Sequence, residues 1–369
     1  MSSDSKKIWQ RYLWLAFWLL PVLAVFADLF FVGYFFAKKA ETRQYALVNQ
    51  AVKRVEPLVG DLKTTTMIAV GDIMLSRHVS NKMFAVKDFV LPFSRTWEVL
   101  SGADITIGNL ESPFYNRGDK ISSGMVFKAE PEAIAGLNKS GFDVLSIANN
   151  HITNQGEQGL NYTVDYLFQS NIFPVGAGAD FTAAHWAAVA ERNGLKFGFL
   201  AYSYADYHDT LGSKYVVAGL NINQAKKDIA ALRPKVDVMV VQMHAGEEYT
   251  VKPTKTQIDF ARAAIDAGAD LVIGHHPHWA GTVESYKGKW IFYSLGNFVF
   301  DQEWSKETKE GLILQATWKN KDLQELRLIP VIIENYSTPR VVDEVEGKSI
   351  FDRIGVTNSV VFSTQDLTE

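Results

Sequence analysis

The residues able to do chemistry gather in short polar clusters, each following a brief apolar run. Asp72 follows Met67–Val70 across Gly71, and Glu111 closes Gly108-Asn109-Leu110-Glu111 after Ile105–Ile107. Asn149-Asn150-His151 follows Val144–Ala148, His244 follows Val238–Gln242, and Gly274-His275-His276-Pro277-His278 follows Leu271–Ile273. Five of the eight histidines of the chain lie in these clusters. Singly, each residue has an ordinary explanation: Asp72 or Asn150 caps the next helix, Glu111 is a surface carboxylate, and a lone histidine is a satisfied polar residue. Together, carboxylates, neutral imidazoles and an amide oxygen suit a borderline divalent ion such as Mn²⁺, Fe²⁺ or Zn²⁺. His276 and His278 flank Pro277, so one rigid turn presents two imidazoles. The six candidates Asp72, Glu111, Asn150, His244, His276 and His278 exceed the need of one tetrahedral ion. A bridging Glu111 would hold two ions about 3.5–4 Å apart. His151, directly after Asn150, is placed as a general acid or an oxyanion donor.

Other conspicuous residues leave two readings open. Arg77 either clamps an anionic substrate group or forms a surface salt bridge. Glu247 and Glu248 either orient His244 from outside or are solvated loop charges. Asn297 and Asp301, in the stretch SLGNFVFD, either line the cleft or belong to a simple turn at Gly296-Asn297. Phe298 and Phe300 read as core.

The elements that must position these clusters follow from the apolar pattern. Runs of Val, Ile and Leu without polar alternation predict strands covered on both faces. Leu160, Val164, Leu167 and Phe168 recur at helical spacing, as do Ile258, Ala261 and Ile265. Strands alternating with helices predict an α/β domain, and in such sheets ligands sit beyond the carboxyl ends of the strands. Leu312–Trp318 and Leu323–Ile333 around Asn320 predict a hairpin near the end.

Composition sets the outer bounds. The 369 residues are 47% hydrophobic and 21% charged, which excludes wholesale disorder. The balance of 37 basic against 41 acidic residues gives no pull toward nucleic acid. The absence of cysteine excludes disulfides, thiolate metal sites, Cys nucleophiles and lipoprotein-type lipidation. No G-x-x-x-x-G-K-[ST] phosphate cradle is present, so the chain is not itself an ATP-using ligase.

The stretch Tyr12–Ala37 carries one charge, Asp28. At about 1.5 Å per helical residue it is long enough to cross a hydrocarbon core of about 30 Å. Trp9, Tyr12, Trp14 and Tyr34 supply interfacial rings, and no clear small-x-small cleavage site follows. The expectation is a single-pass anchor over 12–37, the alternative being a buried core helix. Asp28 either pairs with a polar group of a partner helix or stays hydrated near the outer interface. Lys6, Lys7 and Arg11 precede the span, and Lys38, Lys39, Arg43, Lys53 and Arg54 follow it, so charge alone slightly disfavours export of the main domain. The organisation is thus residues 1–11, the anchor 12–37, a stalk 38–63, a main domain 64–335 and a C-terminal extension 336–369.

The wording GDIML, GNLE, ANNH, HAGEEY, GHHPH and YSLGNFVFD resembles the CapA/PgsA family of poly-γ-glutamate capsule biosynthesis proteins, within the calcineurin-like metallophosphoesterase superfamily. The likeness covers about residues 64–335. It implies a metallophosphoesterase-like layered α/β sandwich after one transmembrane helix. By position, it implies that Asp72 binds one metal and Glu111 bridges, that Asn150, His244 and His276 hold the second metal, that His278 returns to the first, and that His151 is the catalytic histidine. Three departures stand out: Met74 replaces the histidine of the D-x-H block, the bridging group is Glu, and Ala245 stands where the family commonly shows Trp.

The resemblance also implies an accessory subunit of a polyglutamate synthase and export complex. Its partners would be a multi-span membrane subunit, a cytoplasmic ATP-dependent ligase and the anionic polymer, with residues 38–369 outside the cytoplasm. Two further readings remain: a free-standing metal-dependent hydrolase of a phosphoester or of the polymer amide, and a scaffold that binds the polymer through a metal without cleaving it.

Overall fold

Alternate residues of Val238–His244 meet different company. Val238 and Val240 join one buried cluster, while Met239, Val241 and Met243 join another. This two-sided burial explains the unbroken apolar run and defines the layers. The computed structural model describes residues 64–205, 209, 212 and 214–363. The expected anchor and stalk lie outside the described residues. Among the described residues, no helix is long and apolar enough to cross a membrane.

In chain order the strands are β1 (Thr64–Ile73), β2 (Ile105–Leu110), β3 (Val144–Ser146), β4 (Phe173–Val175), β5 (Ala177–Gly178), β6 (Ala188–Arg192), β7 (Leu195–Ser203), β8 (Val216–Val217) and β9 (Val238–His244). They continue as β10 (Leu271–His275), β11 (Val283–Tyr286), β12 (Lys289–Phe292), β13 (Asn297–Val299), β14 (Glu310–Lys319), β15 (Asp322–Glu334), β16 (Thr338–Val341) and β17 (Val360–Ser363). The principal helices are α1 (Arg77–Val86), α2 (Gly156–Gln169), α3 (Ile222–Leu232), α4 (Lys255–Ala267) and α5 (Lys348–Ile354).

The first sheet runs β16-β15-β14-β1-β2-β3-β4, with β13 added to β1 and β17 to β15. Its β1 to β4 half is parallel, and the β14–β15 hairpin closes it antiparallel. The expected hairpin turn holds Asn320 at φ +55°, the backbone region a tight two-residue turn requires. The second sheet runs β11-β12-β10-β9-β7-β6, parallel through its four central strands. Val144 and Leu145 of the first sheet share a core with Phe197 and Phe199 of the second. Helices α3 and α4 cover the second sheet's other face through Ala225, Ile229, Phe260 and Ala264. The mixed α/β reading therefore holds. Residues 336–363 also enter this body: β16 and β17 pair with β15, and α5 buries Ile350, Phe351 and Ile354.

Two glycines let the strand ends approach each other. A Cβ on Gly71 would lie 1.8 Å from the Gly296 carbonyl oxygen, and one on Gly274 would lie 2.0 Å from that of Tyr293. Only glycine permits either contact.

Candidate metal centre

Strand register assembles the first half of the site. Asp72 at the end of β1 lies opposite Asn109 of β2 on one side and Asn297 of β13 on the other. Glu111 stands two residues beyond Asn109, so the two share a strand face. On the second sheet, His244 lies opposite both Ser203 and His275. His276 and His278 follow in the turn, with φ of +97° and +60°. Positive φ in a non-glycine residue is costly backbone, and such strain concentrates where a side chain must be aimed.

A chain of amides fixes which nitrogen of each imidazole is bare. Asn149 donates Nδ2 to the Leu110 carbonyl (2.8 Å) and accepts the His151 N–H, so its oxygen and nitrogen are assigned. It also donates to Asn109 Oδ1 (3.2 Å), which turns the Asn109 amide nitrogen toward the site. That nitrogen faces Asp72 Oδ1 at 2.8 Å, His244 Nδ1 at 3.2 Å and Glu111 Oε2 at 3.4 Å. His244 therefore accepts at Nδ1 and donates from Nε2 to Asn150 Oδ1 (2.9 Å).

By the same logic Asn297 donates to Gln302 Oε1 and the Thr308 carbonyl, so its oxygen accepts from His278 Nδ1 (2.9 Å). His278 Nε2 then faces Glu111 Oε1, 3.8 Å away. Asn154 Oδ1 accepts the Phe127 N–H and lies 3.0 Å from His151 Nδ1, so that nitrogen carries the proton. The bare His151 Nε2 lies 3.9 Å from the same Glu111 oxygen.

Electrostatics keep these lone pairs available. Burial pushes His151 and His276 down to about 4 and holds His244 well below the usual imidazole range. Burial would raise Asp72, but the His275 and His278 imidazoles, whose Nδ1 atoms lie 3.5 and 3.3 Å from its oxygens, overcome it and hold the carboxyl well below its ordinary value. Glu111 goes the other way: burial, then the charges of Asp72 and Glu248, push it well above the carboxylate range.

Two groups of ligand atoms converge, each within 4.8 Å: Asp72, Glu111 and His244, and Glu248, His276 and His278. Glu111 Oε1 and His276 Nδ1 are buried without a hydrogen-bond partner. A buried carboxylate oxygen and a buried imidazole nitrogen left unpaired are unfavourable for the protein alone. A divalent cation would satisfy both, and the donor set of carboxylates and neutral imidazoles fits Mn²⁺, Fe²⁺ or Zn²⁺.

The remaining predicted residues fall as follows. Asn150 reaches the site through His244. Arg77 is ion-paired with buried Asp301, donates to the Gly124 carbonyl and lies over Phe127, whose ring stacks on His151 at 3.9 Å. Its ion pair is thus internal. Asn297 orients His278. Glu247 is exposed, and its carbonyl accepts from Thr250; the neighbouring Glu248 is the one that meets His276 and His278. Met74 is fully buried, and its sulfur accepts from the Ser76 N–H. Asn149 and His275 join the centre without having been singled out as ligands, and Asn109, a candidate substitute for the imidazole that Met74 replaces, enters as an amide donor. For Asn109 the signal was its two-residue spacing from Glu111.

Fold and site together define an α/β protein with a buried carboxylate and imidazole centre at its strand ends. Residues 66–302 match the family described as bacterial capsule synthesis protein PGA_cap, and the chain belongs to that family. The "Capsule biosynthesis protein CapA" of Bacillus anthracis is 32% identical over 78% of this chain and 72% of its own length. The "PGA biosynthesis protein CapA" of Bacillus subtilis (strain 168) is 30% identical over 80% of this chain and 79% of its own. Among solved structures, a putative 5'-nucleotidase from Staphylococcus aureus in complex with alpha-ketoglutarate is similar at 13% identity and a TM-score of 0.45, covering 79% of this chain and 58% of that one.

Proposed function

We propose that this chain is a membrane-anchored accessory protein of poly-γ-glutamate production that holds a divalent cation against an anionic substrate. Family membership and the names of the relatives support the process. The apolar stretch 12–37 supports the anchor, and the family resemblance, against the slight charge bias, supports residues 38–369 lying outside the cytoplasm. A multi-span membrane subunit and a cytoplasmic ATP-dependent ligase are the partners this reading requires, because amide synthesis needs activation that the chain has no phosphate cradle to supply.

One observation carries the site: Glu111 Oε1 and His276 Nδ1, buried and unpartnered, face a set of neutral imidazoles and carboxylates. Asp72, Glu111, Asn150, His244, His276 and His278 would hold one ion or two, in a metallophosphoesterase-like arrangement. The cation would supply Lewis acidity at a phosphoryl or carbonyl oxygen. His151, neutral with a bare Nε2 and fixed by Asn154 and Phe127, is set to accept a proton from an attacking water and return it to a leaving group. Arg77, already engaged by Asp301, keeps Phe127 against His151.

The second reading, polymer binding without cleavage, is favoured by the Asn109 amide, which already donates to Asp72 Oδ1 and His244 Nδ1 of the first group. The test is polymer output of the source cell carrying His276→Ala. Output at the level of a strain lacking the chain, with the wild-type protein co-purifying with a ligase and a multi-span protein, is the expected result. Normal output from His276→Ala would contradict the proposal.

A further inference from the structure

The two ligand groups differ in what already satisfies them. The acceptors of Asp72, Glu111 and His244 share the Asn109 amide nitrogen, at 2.8 to 3.4 Å. On the other side, His276 is only 4% exposed and its Nδ1 has no partner, and Glu111 Oε1 is likewise unpaired toward His278 Nε2. We propose that Glu248, with His276 and His278, forms the stronger cation position of the centre. This rests on the cation reading of the centre given above.

The backbone builds this arrangement. The segment after His244 is strapped to the histidine turn by two hydrogen bonds, Ala245 N–H to the His275 carbonyl (3.1 Å) and Tyr249 N–H to the Pro277 carbonyl (2.8 Å). Gly246 at φ +130° and Tyr249 at φ +62° bend the segment between those straps. The bend turns Glu248 inward and leaves Glu247 exposed. From outside, Gln257 of the α4 capping box donates to the Ala245 carbonyl (2.8 Å), so the helix start braces the same segment. Met74 is buried among apolar side chains and offers no ligand to the centre.

The chemistry of this position is one carboxylate and two imidazoles, a set that binds borderline divalent ions and leaves coordination sites open for substrate. Glu111 Oε1 completes it from the first sheet. The other group accepts a cation only when the Asn109 amide turns away, so it fills second and more weakly.

The test is Mn²⁺ binding to the full-length chain in detergent, read by electron paramagnetic resonance of the free ion. Wild type, Glu248→Gln, Glu248→Asp and Glu247→Gln are compared, with circular dichroism as the control for folding. The expected result is one tight Mn²⁺ in wild type and in Glu247→Gln, a more than 100-fold loss in Glu248→Gln, and partial recovery in Glu248→Asp. Wild-type affinity in a folded Glu248→Gln would overturn Glu248 as ligand and leave the cation centre standing. Absence of Mn²⁺ binding in wild type would overturn the centre itself, and this assignment with it.

Discussion

His276 and His185 both have largely covered imidazole rings, yet burial drives one down to about 4 while the other rises to about 9. The difference lies in what faces each nitrogen. Burial also opposes charge on His185, but Asp228 Oδ2 lies 2.8 Å from its Nδ1 and Asp209 Oδ1 lies 2.9 Å from its Nε2. Acceptors on both nitrogens make it an imidazolium. Tyr202 and Gln224 then hold Asp228, and the Gly219 N–H holds Asp209. Among the described residues His276 has no carboxylate hydrogen-bonded to its ring, and its Nδ1 has no hydrogen-bond partner. One region uses histidine as an internal cation, and the other keeps it neutral, as the proposed cation position requires. Residue type alone does not distinguish them.

The strongest way to break this contrast is to exchange the expected losses. His276→Ala should weaken Mn²⁺ binding by more than the about 100-fold that removal of an outer partner brings, whereas His185→Ala should leave it unchanged; titration of the full-length chain reads both. Next, Asp228→Asn should lower stability by about 3 kcal/mol, the scale of breaking a buried ion pair, with Mn²⁺ affinity preserved, as urea unfolding and the same titration would record. Equal metal loss in both regions would remove the distinction.

Asn297→Ala sharpens it further. The substitution frees His278 Nδ1 from its fixed acceptor and should reduce Mn²⁺ affinity by about 10- to 100-fold, with the unfolding midpoint changed far less than in Asp228→Asn.

The smallest expected effects are in pH. The folded value of His185, about 9, exceeds the ordinary value of 6.5. Its contribution to stability is therefore full below about 6.5 and lost as pH rises through about 9. The stability difference between wild type and His185→Ala should shrink across that window. At the centre, Glu111 is held well above its usual range, so a cation entering there displaces a proton. Mn²⁺ affinity should rise with pH, and calorimetry in buffers of different ionisation enthalpy should show proton release.

Much of this was legible in the sequence, for specific reasons. The apolar runs fixed strands buried on both faces, and the polar clusters after them marked strand ends, so Asp72, Glu111, His244, His276 and His278 could be named together. The Asn320 hairpin followed from its turn residue. What could not be read was the cross-strand register. Asn109 and Asn297 flank Asp72 only because β2 and β13 pair with β1 in that alignment. The choice of Glu248 over Glu247 depends on a bend set by Gly246 and two backbone straps. His185 carried no motif at all, since its partners Asp209 and Asp228 meet it from separate segments.

The most direct test of the cation centre is the metal content of the purified full-length chain, wild type beside Glu111→Ala and His276→Ala. The account predicts divalent metal retained by wild type and lost from both variants, with circular dichroism unchanged. No metal in any of the three, all folded alike, would contradict it.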